Sequence, residues 1–171
     1  MQKLFPLPLV TEGDISVNVT DGTDAINGAT VVLTDSDSLS KSTTTDSDGE
    51  ATFEDIDNGT YTLTVSKAGY TTETKTVVVA GDVSVDVELA VTRTISFTVN
   101  DGTDAVQGAE VVIDGDTAGK KTTGSSGGCT ATLTDGEHAV VITATGFEDK
   151  TETITTDSTH TSFTISLTTS G

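Results

Sequence analysis

Ile15 to Leu33 reads ISVNVTDGTDAINGATVVL, and Ile95 to Ile113 reads ISFTVNDGTDAVQGAEVVI, so the chain writes nearly the same stretch twice. The two align without a gap at an offset of 80 residues (95 − 15 = 80). Asp21 to Ala25 recurs unchanged as Asp101 to Ala105, and Gly28-Ala29 recurs as Gly108-Ala109. The same offset sets Ala51 and Phe53 against Ala131 and Leu133. A shorter loop then moves the offset to 77, where Gly59 meets Gly136 and Gly69-Tyr70 meets Gly146-Phe147. A repeat of this period requires one small fold that can be built twice in a row.

Each copy alternates apolar and polar residues with a period of two, which buries one face of a strand and wets the other. Ile15, Val17 and Val19 open the first copy, followed by Ala29, Val31 and Leu33, then Ala51 and Phe53, then Tyr61, Leu63 and Val65. Thr74 to Val79 and the run Val83, Val85, Val87 and Leu89 complete it. Asp21-Gly22 ends the first strand, since Asp can bond its own backbone and Gly tolerates positive φ. The second copy keeps the pattern with Ile95, Phe97, Val99; Ala109, Val111, Ile113; Val140, Ile142; and Phe163, Ile165, Leu167. About seven short strands per copy, with turn signals between them and no helical stripe, predict a β-sandwich. The expected layout is an arm at 1–13, a sandwich at 14–90 and a second at 94–169. Ala90 to Thr94 contains neither Gly nor Pro, which predicts a stiff, rod-like connection and not a flexible linker.

Composition removes several functions. The formal net charge is −19, from 27 acidic and 8 basic side chains. Such a field repels nucleic-acid phosphates and anionic membrane surfaces, so neither nucleic-acid binding nor membrane insertion is expected. The acidity suits solubility and a salty habitat that screens it. The single cysteine, Cys129, rules out an intrachain disulfide. No apolar run reaches the length of a membrane-spanning helix. The opening residues do not read as a signal peptide, because their apolar stretch is short and broken by Pro6 and Pro8.

Gly28-Ala29, the stretch Thr45 to Gly49, Gly59-Thr60-Tyr61 and Gly69-Tyr70 follow one another in an order that resembles the carboxypeptidase regulatory-like domain. That family falls within a prealbumin-like, immunoglobulin-like group that also holds the collagen-adhesin B-type repeats. The resemblance covers nearly all of Ile15 to Leu89 and, more loosely, Ile95 to Leu167. In the second copy Gly128-Cys129 stands against Asp48-Gly49, and His138 against Tyr61. The resemblance implies an all-β chain of two tandem seven-stranded immunoglobulin-like sandwiches with a short extended N-terminal arm. It also implies an accessory, spacer or adhesion role without chemistry of its own. Some adhesin repeats of this group carry a Lys–Asn crosslink that needs a Lys in the first strand. Ile15 to Thr20 and Ile95 to Asn100 contain none, so no crosslink is expected.

The candidate chemistry favours structural roles, and no enzyme, cofactor or metal is expected. Asp46-Ser47-Asp48-Gly49 with Asp55 looks like a calcium loop, but Thr44 would fill the first ligand position and Asp the twelfth. A polar hairpin turn is the better reading, with a loose cation site at Asp35, Asp37, Asp46 and Asp48 as the weaker one. Asp21 and Asp24, repeated as Asp101 and Asp104, read as turn-formers and not as an acid–base pair. Cys129 and His138 could be nucleophile and base, but a buried thiol and a packed imidazole fit their positions better. Gly124 to Gly128 reads as a flexible hairpin tip with no helix after it. Asn18-Val-Thr20 and Asn58-Gly-Thr60 match the N-glycosylation pattern, which matters only after export.

The remaining signal is the arm. Leu4, Phe5, Leu7, Leu9 and Val10 are apolar, and Pro6 and Pro8 bar a helix through them. These five residues are the predicted partner-binding site. The arm leads to the expectation of a virion capsid decoration or tail-surface protein, anchored to other virion proteins in many copies and touching host glycans weakly. The alternative is a cell-surface adhesion or spacer module of a bacterium or archaeon.

Overall fold

The computed structural model describes residues 11–171, and no helix occurs among them. The first seven strands are β1 (Glu12–Thr20), β2 (Thr30–Thr34), β3 (Ser40–Thr44), β4 (Glu50–Asp57), β5 (Gly59–Ser66), β6 (Glu73–Val79) and β7 (Val83–Glu88). The second seven are β8 (Thr92–Asn100), β9 (Glu110–Ile113), β10 (Lys121–Thr122), β11 (Gly128–Thr134), β12 (Gly136–Thr143), β13 (Lys150–Thr156) and β14 (Ser162–Ser166). They form two compact units whose boundary falls between Ala90 and Val91. β1 and β8 each start two residues before the positions 14 and 94 that alternation suggests. The ladders Glu12↔Asp57 and Thr92↔Thr134 already hold those residues in the sheet.

Both units share one topology. In the first, a three-stranded sheet β4-β1-β7 faces a four-stranded sheet β3-β2-β5-β6. In the second, β11-β8-β14 faces β10-β9-β12-β13. The central strands β1 and β8 run antiparallel to β4 and β11 and parallel to β7 and β14. Their inward residues, Ile15, Val17 and Val19 in one unit and Ile95, Phe97 and Val99 in the other, are at most 1% exposed. The alternation seen in the sequence is thus the division between core and solvent.

The register corrects the repeat alignment. Val17 lies opposite Ala51 and Ile15 opposite Phe53. In the second unit Phe97 lies opposite Cys129 and Ile95 opposite Ala131. The fourth strand of each unit therefore matches at an offset of 78 (129 − 51 = 78), not 80. Two residues are lost in the connection after β9, where β10 pairs only with Val111 and Glu110, whereas β3 covers β2 from Thr30 to Thr34. One more is lost at a bulge between Gly13 and Ile15, present in the β1–β4 ladder and absent from the β8–β11 ladder. Asp14 braces that bulge by accepting from the Asp55 amide at 3.1 Å, and Asp55 sits at φ 52°.

The corrected register exposes an exchange of bulk. Phe53 on β4 matches Ala131, while Val17 and Val85 match Phe97 and Phe163. The last two rings lie 6.1 Å apart, inclined at 28°. The aromatic mass sits on β4 in one core and on β8 and β14 in the other.

The Gly49 and Gly127 turns are not hairpin tips, because each carries the chain from one sheet to the other. The carbonyl oxygen of Gly49 accepts from the Val19 amide at 2.9 Å, and that of Gly127 from the Val99 amide at 2.8 Å. Both glycines have positive φ, 78° and 70°. A Cβ on Gly49 would lie 2.5 Å from the Val19 carbonyl oxygen, and one on Gly127 would lie 2.3 Å from that of Val99. Gly127, not Cys129, is therefore the partner of Gly49. Gly49→Ala and Gly127→Ala are each expected to destabilise their sandwich by about 2 kcal/mol or more, measured by urea unfolding. Gly69→Ala, with similar φ but open space around it, should cost about 1 kcal/mol.

Candidate functional site

Asp21 and Asp101, the first acidic candidates, do the same local job. Asp21 Oδ1 accepts the amides of Thr23 at 3.0 Å and Asp24 at 2.8 Å. Asp101 Oδ1 accepts those of Thr103 and Asp104 at 2.9 and 2.7 Å. The amides of Asp24 and Thr23 hold the Asp21 carboxyl below the usual carboxylate range, and those of Asp104 and Thr103 do so for Asp101. A carboxylate stabilised in its charged form by its own turn is a poor general base.

The acidic loops of the first unit are closed in the same manner. Asp46 Oδ1 accepts the amides of Asp48 and Glu50, and Asp35 Oδ1 those of Asp37 and Leu39. Among the described residues no group of three or more His, Cys, Asp and Glu side chains is arranged to hold a metal ion. Asn18 is exposed on β1 and donates from Nδ2 to Asp86.

Cys129 and His138 lie on β11 and β12, which belong to different sheets. The thiol is half-buried opposite Phe97. Burial pushes its pKa up, against a pull from Lys121. The imidazole spends both nitrogens elsewhere, with Nδ1 2.6 Å from Asp114 Oδ2 and Nε2 2.9 Å from the Thr134 carbonyl oxygen. The pair is not brought together. Gly124 to Gly128 forms a closed turn, with the Gly124 amide donating to the Gly128 carbonyl at 2.9 Å.

A cleft recurs at the same place in both units. The first, about 130 Å³, is lined by Leu33, Lys41, Ile56 and Tyr61 with Asp35, Asp55 and Asp57 at its edge. Its counterpart, about 340 Å³, is lined by Ile113, Lys121, Ala131 and Leu133 with Asp114 and Asp116. Beside the second, β10 is only two residues long, against five for β3 beside the first. Tyr61 closes one end of the first by donating to the Asp57 carbonyl at 2.9 Å. Neither lining holds a nucleophile hydrogen-bonded to a base.

Thr45 and Thr123 are buried and join strands, a role the sequence reading did not give them, although Thr45 opens one of its resemblance stretches. Thr45 Oγ1 donates to the Ile26 carbonyl and accepts the Ala29 amide at 2.8 Å. Thr123 Oγ1 repeats this with Val106 at 2.7 Å and Ala109 at 2.9 Å. Both are 3% exposed. The available signal is their recurrence four residues before Gly49 and Gly127. The predicted partner-binding residues Leu4, Phe5, Leu7, Leu9 and Val10 lie outside the described residues.

Residues 14–92 match the family model of the carboxypeptidase regulatory-like domain. Residues 104–170 match that of the PEGA domain. No curated protein matches the chain. Among solved structures, a minor pilin of Streptococcus agalactiae is 15% identical with a TM-score of 0.51, over 93% of this chain and 97% of that one. A streptococcal ancillary pilin is 16% identical with a TM-score of 0.45, over 94% and 63%. The Bacillus anthracis TIE protein is 16% identical with a TM-score of 0.43, over 93% of this chain and 34% of its own length. The chain thus spans a third of the one and under two thirds of the other. The likeness to the minor pilin establishes a shared tandem immunoglobulin-like fold.

Thr45→Val and Thr123→Val are each expected to cost about 1–3 kcal/mol by stranding a buried carbonyl and amide, with serine restoring most of the loss in chemical denaturation. Cys129 should react slowly with a thiol reagent at neutral pH and rapidly once urea opens the sandwich.

Proposed function

We propose that this chain is a non-enzymatic structural module of a cell or particle surface, with two sandwiches as spacer and display units and the residues before β1 as the docking arm. One observation carries the reading. The polar side chains common to both copies, Asp21/Asp101 and Thr45/Thr123, are committed to closing turns and joining strands. Duplicating such a unit adds length and surface, not chemistry. The charge of −19 keeps neighbouring copies soluble and discourages edge-to-edge pairing of strands.

The finer reading is a virion capsid decoration or tail-surface protein held by Leu4, Phe5, Leu7, Leu9 and Val10. Its support is the contrast between an apolar arm, whose one charged residue before Glu12 is Lys3, and the acidic chain after it. A cell-surface spacer is the second reading, supported by the fold shared with a minor pilin along nearly all of both chains. Immunogold labelling of particles and of cell surfaces separates the two. Replacing Leu7 and Leu9 together by Asp should abolish attachment to either surface while leaving thermal unfolding unchanged. Retained attachment would remove the arm from the proposal, and labelling confined to the cell interior would remove surface display itself.

A further inference from the structure

We infer that His138 makes the second sandwich, and not the first, sensitive to alkaline pH: its protonated ring ties the β9–β10 connection to the strands behind it, and loss of the proton releases that connection.

The geometry favours a cation. Both ring nitrogens face oxygen acceptors, Asp114 Oδ2 at 2.6 Å and the Thr134 carbonyl at 2.9 Å. A neutral imidazole has one N–H, so either tautomer would turn a lone pair toward one of these oxygens. The His138 side chain is 9% exposed, so water does not readily replace a bond lost on the Thr134 side. The Thr134 carbonyl also accepts from the buried Thr156 Oγ1 at 2.7 Å, while the Asp114 carboxylate on the other side of the ring is half exposed.

Asp114 is a pivot that needs holding. It has φ 50°, an unfavourable backbone for a residue with a Cβ. Besides the ring, it is tied to Ala139 by two bonds, its Oδ1 accepting at 2.9 Å and its amide donating at 2.8 Å. From it the chain runs through Asp116, whose Oδ1 accepts the amides of Ala118 and Gly119, to β10. This connection rims the wider cleft, so releasing Asp114 reshapes that cleft.

The first sandwich provides the contrast. Tyr61 stands at the matching position and donates to the carbonyl of Asp57, the counterpart of Thr134. Val79 stands in place of Thr156. Burial, with Asp57 and Asp35 nearby, pushes the Tyr61 hydroxyl above its ordinary value, far from neutral pH.

Around His138, Asp114 comes from the β9–β10 connection. Asp135, on the β11–β12 turn, is engaged by Arg93 of β8 at 2.6 and 3.0 Å. Glu137 adjoins the ring on β12 and is exposed. β13 contributes the uncharged Ile154 opposite the ring, and Asp157 beyond it is held by Thr159 and His160. Burial opposes the charge on His138, but the bonds with Asp114 and Thr134 outweigh it and leave its pKa raised. The bond with His138 holds the Asp114 carboxyl below the usual range. With the folded value above the unfolded one, the tie is complete below the ordinary imidazole pKa of about 6.5 and is lost as pH rises through the folded value.

The test is an NMR titration of the full chain with amide exchange from roughly pH 6 to roughly pH 9, corrected for intrinsic rates. The His138 ring should titrate above about 6.5. Exchange across Asp114–Gly119 should accelerate about tenfold, while Asp35–Leu39 in the first sandwich stays flat. H138Y, which installs the first sandwich's residue, should abolish the acceleration. D114N, which keeps the ring, should lower its midpoint and serves if H138Y does not fold. A midpoint at or below the ordinary value, one unmoved by D114N, or acceleration that persists in H138Y would overturn the inference.

Discussion

Each sandwich depends on the way the chain passes from its four-stranded sheet to its three-stranded sheet. A threonine hydroxyl at the end of the third strand bridges a carbonyl and an amide of the preceding turn. Four residues later a glycine slides beneath the carbonyl of the central strand, where no side chain fits. The hydroxyl fixes the departure point and the glycine fixes the arrival. With both set, the strand that follows falls into register on β1 or β8 and the two faces close on each other. The buried hydroxyl has strong leverage because any hydrogen bond it failed to make would leave amide or carbonyl groups desolvated and unpaired.

Most of this architecture was legible in the sequence, because alternation with period two reports directly which side chains go inward. The same periodicity explains the error in the alignment. A slip of two residues keeps every side chain on its own face, so matching Ala51 and Phe53 to Ala131 and Leu133 preserved the pattern while misplacing the strand. Only the ladders, with Phe97 opposite Cys129, reveal the slip. Thr45 and Thr123 were concealed by company, since a chain so rich in threonine gives no local sign of those that turn inward. The contact of His138 with Asp114 was illegible for another reason: it spans 24 residues and depends on a backbone turn that neither residue type announces.

At some positions the copies supply the same bond by different means. Tyr61 and His138 reach corresponding carbonyls with different groups, one a hydroxyl and the other a ring nitrogen. In the Asp21 and Asp101 turns the carboxylate is kept, while the amide of the turn glycine goes to the Thr20 hydroxyl in one copy and to the Asn100 side-chain carbonyl in the other. Each position kept the bond and let the chemistry that supplies it vary.

Tandem repeats carry a specific hazard while they fold, because strands of one copy can pair with those of its neighbour. Here the displaced aromatic bulk discriminates against such hybrids. A sandwich combining β1 with β11 would bring Val17 and Ile15 against Cys129 and Ala131, and the space filled by Phe53 in the correct partner would be empty. The complementary hybrid of β8 with β4 would bring Phe97 and Phe53 into one core and overfill it. Both errors incur packing losses of the size seen for cavities and for overpacked cores. The pairs β1–β4 and β8–β11 are keyed by where they carry their bulk, so each of these strands fits best against its own partner.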